Sequence, residues 1–543
     1  MTHSPSLRAV PATLLTLASV AAFQAAFQIP ALGWLVLGYL GSLWELRRLA
    51  TPRQAFYTGT AIGLGVYVPQ MFFLWSIFRG AALPLWAILA LFHGAFLLML
   101  NRVDARWGGR AAAWLMPVLW CGLEHLRSEV WWLRFAWFTA GSCWPVALEP
   151  KAPHRLGVYG LGFALSWVAA QGLGWLRETD PGRRRRAALG LVAGGAVLLG
   201  AAVWPPHRGY GAQDRRLPVA GIQFEFPALP ELLQGLDGLI QAHPEAELLM
   251  VSEYTLEGPP TQALKNWCRK NRKWLVVGGK QAIESTTPAA TAGETTRGTG
   301  GAETAPAPSL LSTPALPWQR SGPPKERFHN TAFVIGTNGQ VVFQQAKSRP
   351  IQFFDDGEPA PSQAVWESPW GRLGIAICYD ASYRQVMDAL IRQGAVGLLI
   401  PTMDVEHWGA HEHGLNARMA VLRAAEYGVP IFRVASSGIS QLIDQDGRES
   451  ATAPFPGQGE TLAGTLELRS SEGSIPPDAW LAPACMVATG VVLLGLGIGA
   501  WRDRREKQHR HGNPTGAGAS DRLTGPAGSP QAGGCGGDTF TES

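Results

Sequence analysis

Residues 371–380 read GRLGIAICYD, a short apolar run that ends in Cys378, Tyr379 and Asp380. Its length and its Leu and Ile content fit a buried β-strand. A cysteine in such a strand is ordinarily a small hydrophobe, whereas one at the end of the strand stands where sites gather in α/β sheets. Working outward, LPVAGIQFEF (217–226), ELLMVSE (247–253), WLVVGGKQ (274–281), TAFVIGTNG (331–339), QVVFQQAK (340–347) and VGLLIPTM (396–403) have the same strand character. Stretches 229–242, 261–272, 383–393 and 411–427 read as helices between them. Strands alternating with helices predict a layered α/β domain over 205–481, its sheets covered by helices.

The flanks are of another kind. The 543-residue chain is 47% hydrophobic and only 16% charged, with 22 Trp. That balance points to a membrane protein carrying a soluble part. Apolar runs at 11–28, 30–44, 56–78, 82–100, 111–126, 156–176, 187–204 and 482–501 predict about eight membrane helices, seven of them before residue 205. Arginines follow alternate runs: Arg47, Arg48 and Arg53, then Arg102, Arg106 and Arg110, then RRRR at 183–186 and WRDRREK at 501–507. Eight spans put all four clusters on one side, which the bias of Lys and Arg toward cytoplasmic loops makes the cytoplasm. The 205–481 domain then faces away from it. The first run is expected to be retained as an anchor, since no small-residue cleavage site separates it from the second. With a net charge of only +5 and arginines beside apolar runs, nucleic acid is not the expected partner.

Residues 283–325, rich in Thr, Ala, Gly and Pro, read as a disordered insertion, and 502–543 as a disordered tail. The six cysteines show neither a CxxC pair nor a metal-site spacing. His407, His411 and His413 suggest a zinc motif only until position 415, which is leucine. They are expected on a helix surface, and no metal is expected.

A nucleophilic Cys378 needs a base, because an unperturbed thiol is mostly protonated near neutral pH, and it needs a donor for an oxyanion. Glu253 ends ELLMVSE and Lys347 ends QVVFQQAK, so a carboxylate, an ammonium and a thiol follow three apolar strands in that order. This order, with CYD and the later RAAEYGVPIFRVASSGIS (423–440), resembles the nitrilase superfamily. PVLWCGLEHLRSEV (117–130) and GVYGLGFALSW (157–167) are similar to stretches of the apolipoprotein N-acyltransferase family within it.

The resemblance implies a polytopic helical membrane bundle with an inserted α-β-β-α sandwich, acting as a multi-pass monomer of the inner membrane whose catalytic domain faces the periplasm. It implies no cofactor, a phospholipid acyl donor and a diacylglyceryl apolipoprotein acceptor. Glu253 would be the base, Cys378 the nucleophile, and Lys347 with the Tyr379 N–H the oxyanion donors. Asp355, with Asp356 or Glu358 as rivals, would be the supporting acid, and Asp380 a further support. Phe353, Phe354 and Trp408 would line the acyl entrance, and Glu124 is a membrane-embedded candidate. Several flanks depart from the family pattern: Ser252 precedes Glu253 where proline is usual, KSRPIQFFDDGE (347–358) replaces a Lys-x-x-Leu-Val-Pro-Phe-Gly-Glu run, and RFAW (134–137) replaces Gly-Phe-Pro-Trp. A tethered amidase with water as second nucleophile, and an inactive envelope scaffold, stay open as alternatives.

Overall fold

The computed structural model describes residues 7–146, 149, 151–203, 215–283, 327–469 and 473–511. The insertion expected at 283–325 falls, but for Ile283, outside the described residues, as does the tail from 512.

The N-terminal part contains helices α1 (Ala9–Gln28), α2 (Val36–Leu46), α3 (Pro52–Gln70), α4 (Phe73–Phe78), α5 (Ala82–His125), α6 (Lys151–Arg177) and α7 (Pro181–Val203). Among the described residues, five helical segments are long and apolar enough to cross a membrane: Ala9–Gln28, Phe73–Val130, Lys151–Arg177, Pro181–Val203 and Asp478–Glu506. The expected runs 82–100 and 111–126 share the second of these, divided only by Gly108 at φ 84° and ψ 165°. The run at 30–44 becomes a 3₁₀ turn and the 11-residue α2, and α3 is diluted by Arg53, Gln54 and its threonines. At one end of this bundle Arg47 pairs with Asp104 (3.2 Å) and Arg177 with Glu45 (2.9 Å). The first two arginine clusters therefore neighbour each other, and the end of α6 that precedes RRRR meets the same α2 end.

The α/β part has two six-stranded sheets. The strands are β1 (Arg215–Ile222), β2 (Leu248–Met250), β3 (Trp274–Ala282), β4 (Phe328–Ile335), β5 (Val341–Ala346), β6 (Val365–Ser368), β7 (Gly371–Ile375), β8 (Gly397–Thr402), β9 (Ile431–Ala435), β10 (Ser440–Ile443), β11 (Glu449–Ala453) and β12 (Thr461–Leu468). They pair in the orders β12-β1-β2-β3-β4-β5 and β11-β10-β9-β8-β7-β6. Side chains alternate across each strand. Leu217 and Val219, Leu248 and Met250, and Val276 face Ile375, Leu399, Phe432 and Val434 of the other sheet. Their alternates Ala220, Ile222, Leu249 and Leu275 pack on α8 (Leu229–Ala242) and α9 (Gln262–Asn271). Ala376, Leu398 and Ile400 pack on α10 (Arg384–Arg392) and α11 (Ala410–Tyr427). The result is an α-β-β-α sandwich, with the start of each parallel connection at the same edge. β6 and β9 to β12 lie beyond the strands expected from apolar runs: β6 is only four residues long, and Arg433, Gln441 and the polar β11 interrupt the pattern.

The chain ends in α12 (Asp478–His511), which runs ten residues past the expected span end and through WRDRREKQHRH. That segment is helical, not part of a disordered tail. The start of α12 is tied to α6 and to the sandwich. α6 is interrupted at Gly157 (φ 73°), which frees the N–H groups of the next helical turn. Glu426 Oε1 accepts from Val158 N (2.9 Å) and Asp478 Oδ2 from Tyr159 N (2.9 Å), while Arg384 donates to Asp478.

Candidate active site

Glu253, Lys347 and Cys378 leave their sheets toward one point. Glu253 follows β2 and Lys347 follows β5 of the first sheet, and Cys378 follows β7 of the second. Lys347 Nζ lies 2.8 Å from Glu253 Oε1 and 2.8 Å from Asp356 Oδ2, and all three groups are buried. Asn330 of β4 closes the cluster, its Nδ2 donating to Glu253 Oε1 (2.5 Å) and Asp356 Oδ1 (2.8 Å). Tyr254 donates to Asp356 Oδ1 (2.8 Å), and the Ile351 N–H to Asp356 Oδ2 (2.6 Å).

The acid beside the lysine is thus Asp356. Asp355, the expected one, is exposed, and Glu358 instead pairs with Arg327 near the surface. One extra residue between lysine and acid, compared with the resembled pattern, shifts the register; the tight turn at Gly357 (φ 77°) completes the loop, leaving no room for a Cβ beside Phe328 O.

Met403 stands between base and nucleophile. Its N–H donates to Glu253 Oε2 (2.7 Å) and its carbonyl is 3.8 Å from Cys378 Sγ, accepting from the thiol. Cys378 has φ 49°, Tyr254 φ 55° and Phe353 φ 70°. Three non-glycine residues in the left-handed region, all beside this cluster, mark strain of the kind that collects at functional sites. At Cys378 it bends the chain sharply out of β7. Asp380 fixes the bend by accepting from the N–H groups of Ile377 (3.2 Å), Ser348 (3.1 Å) and Arg349 (2.7 Å), so the cysteine turn and the lysine loop are joined.

The electrostatics follow from two carboxylates sharing one ammonium. Burial, and then Glu253, push the Cys378 thiol well above its usual range, so it rests protonated. Burial also raises Glu253; Lys347 opposes this and Asp356 adds to it. Burial alone would lower Lys347, but Asp356 and Glu253 outweigh it and keep the lysine charged. Asp380 is raised by burial to about 6 in spite of its three N–H donors.

Cys378 opens onto a cavity of about 430 Å³ whose wall is mainly apolar. Phe353, Phe354 and Trp408 line it together with Phe73, Ile77 and Phe78 of α4 and Leu85, Ile88 and Leu89 of α5. Trp137 of the RFAW stretch reaches the cysteine turn, donating from Nε1 to Ser382 Oγ (2.9 Å) and meeting the Tyr379 ring edge to face at 5.9 Å. Glu124 is elsewhere: it lines a separate small pocket with Tyr67, His93 and Arg127 and accepts from the Ala140 N–H (2.7 Å).

Of the three histidines, His407 and His411 are exposed, but His413 is fully buried. Asp404, Glu412 and His413 bring their ligand-type atoms within 4.8 Å of one another. Asp404 already accepts from Arg433 Nη2 (2.5 Å) and Asn416 Nδ2 (2.8 Å), which leaves this trio a poor metal site. Asn330 and Met403 escaped the sequence reading: Asn330 stands in the polar HNT start of β4, ahead of its apolar run, and Met403 acts through its main chain.

Comparison with known proteins agrees with this architecture. Residues 14–171 match the apolipoprotein N-acyltransferase N-terminal domain, and residues 228–470 match carbon-nitrogen hydrolase. The chain is 26% identical to the apolipoprotein N-acyltransferase of Rhizobium rhizogenes over 82% of this chain and 85% of that one. To that of Geobacter metallireducens it is 24% identical, over 80% and 87%. It aligns with the carbon-nitrogen hydrolase structure from Helicobacter pylori at 13% identity and a TM-score of 0.35, over 55% of this chain and 98% of that chain. Helical domain and hydrolase domain occur here in one chain, which is similar to apolipoprotein N-acyltransferases over most of its length.

Proposed function

We propose that this protein moves an acyl chain from a membrane phospholipid to the α-amine of a lipoprotein's N-terminal diacylglyceryl cysteine, through a thioester on Cys378. The observation that carries this reading is the buried thiol of Cys378, set between a Glu253–Lys347 pair and an apolar cavity partly built by α4 and α5. A soluble C–N substrate would need no such wall.

Glu253 takes the Cys378 proton as sulfur attacks the ester carbonyl, and Lys347 with the Tyr379 N–H stabilises the resulting oxyanion. Collapse breaks the ester C–O bond; Glu253 returns the proton to the departing oxygen, and lysophospholipid leaves. The amine then attacks the thioester, gives a proton to Glu253, and the C–S bond breaks to yield the amide and the restored thiol. Asp356 and Asn330 act through Lys347 and Glu253 as positioning residues, and Asp380 through the cysteine turn.

The topology that serves this chemistry is a multi-pass anchor of about eight spans in the inner membrane, with the sandwich on the periplasmic side and the chain working as a monomer. Meeting of the arginine-bearing helix ends at Arg47–Asp104 and Arg177–Glu45 supports a common cytoplasmic face. The exposed Phe72, Trp132 and Phe353, each at least 60% accessible, support contact of the cavity mouth with lipid.

The test is intact mass after incubation with phospholipid. A hydroxylamine-labile acyl adduct is expected on the parent and not on Cys378→Ala, with discharge by a diacylglyceryl-cysteine peptide to an amide. Absence of the adduct from reduced, lipid-accessible parent, or turnover of a soluble amide in its place, would sink the reading.

A further inference from the structure

Two arginines line the cavity that the acyl-transfer steps leave unused. Arg134 comes from the stretch after α5, and Arg349 stands two residues beyond Lys347. Tyr383 gathers them on one wall: the Arg349 guanidinium carbon lies 5.9 Å from the Tyr383 ring centroid, and the Tyr383 hydroxyl donates to the Arg134 carbonyl (3.1 Å).

Burial lowers Arg349, and repulsion from Arg134 is the next cause; Glu129 and Asp380 oppose it without reversing it. Like charges brought into a partly buried wall are unfavourable without a counter-ion. Among the described residues neither guanidinium makes an ion pair with a carboxylate, and the Nε of each is buried without a hydrogen-bond partner. The side-chain bond that is made, Arg349 Nη2 to Gln385 Oε1 at 2.5 Å, goes to a neutral amide. Planar guanidinium forks with open donors match the oxygens of a phosphate. The remaining wall, with Phe78, Ile88 and Phe353, matches hydrocarbon and not a free ion.

We infer that Arg134 and Arg349 bind the phosphate of a glycerophospholipid whose acyl chain occupies the apolar cavity, so that the site selects a phosphodiester over a neutral glyceride. This deepens the acyl-transfer reading and rests on it for the role of the lipid.

Binding without turnover tests it. Full-length Cys378→Ala protein in neutral detergent is titrated calorimetrically with dihexanoyl phosphatidylglycerol and with dihexanoylglycerol. The phosphodiester should bind at least about 10-fold more tightly, and Arg134→Gln/Arg349→Gln should erase that advantage while glyceride affinity stays within about two-fold. Equal affinities in the protein with both arginines, or an advantage that survives the double substitution, overturn the inference. That first comparison needs no arginine variant, so a double variant that fails to fold does not remove the test. Inorganic phosphate separates the sources. Failure to displace the lipid at equal concentration supports a headgroup site, and displacement at that concentration makes it a free-anion site and overturns the assignment. Phosphodiester preference together with no acyl adduct on the parent would leave the arginine site standing and the acyl-transfer reading fallen.

Discussion

Lys347 and Asp356 form a buried ion pair, Nζ to Oδ2 2.8 Å, and the same ammonium reaches Glu253 at the same distance. The two carboxylates hold the lysine charged against its burial, while the second oxygen of Glu253, Oε2, accepts from the Met403 N–H next to the thiol.

Asp356→Asn removes the carboxylate that helps burial raise Glu253. Glu253 must be ionised to accept the thiol proton, so the acylation rate rises with pH through its pKa, above the ordinary carboxylate range of about 4. In the variant that limb moves to lower pH. A weaker base and a looser lysine lower the plateau by about 10- to 100-fold. Quenched-flow formation of the Cys378 adduct against pH checks both; an unmoved limb would remove Asp356 from the account.

Asn330→Ala leaves two buried carboxylates with only Lys347 as a common donor. The expected loss of stability is about 1–3 kcal/mol, seen as a lower midpoint in detergent thermal melts, with slower acylation. An Asn330→Ala protein with unchanged midpoint and rate would show the bridge to be idle.

Gly278 of β3 lies behind the base. A Cβ there would stand 2.6 Å from Glu253 Cα and 2.8 Å from Tyr254 N, both backbone atoms that cannot swing aside. Gly278→Ala should displace Glu253 and lower acylation by about 100-fold, the scale of a misplacement of about 1 Å. Full activity in a folded Gly278→Ala protein would contradict this packing.

Asp478→Leu should cost about 1–3 kcal/mol, because it removes one of the buried carboxylates around Arg384, leaving Asp388 and Glu426, and frees the Tyr159 N–H. Arg384→Met should cost less in that background than in the parent, since the contact with Asp478 is already gone. Chemical denaturation of the two single variants and the double variant reads the coupling; strict additivity would mean that the ion pair does not join α12 to the sandwich.

The strand ends were legible because apolar runs of four to eight residues stop abruptly at Glu253, Lys347 and Cys378, and the outer helices because their patterning is regular. What the sequence hid has physical causes. Asp355 and Asp356 are chemically identical neighbours, and only the turn at Gly357 decides which one points inward. His413 reads as surface on a polar stretch, yet the helix carries it against Phe455, ring to ring at 4.5 Å. α5 absorbs two expected spans because the polar stretch 101–110 stays helical, bent only at Gly108. The polar strands β10 and β11 are held by neighbours in space and carry little local pattern of their own.

The base and the lysine hang from one sheet, and the thiol hangs from the other. During biogenesis, a chain that has closed only one of them possesses either a proton acceptor or a nucleophile, but not a working couple. Its cysteine, with no base beside it, stays mostly protonated among reactive lipid esters until the second layer docks. Reactivity is thereby a readout of completed assembly, and a defect in docking between the layers would present as chemical silence in a protein that is still inserted and abundant.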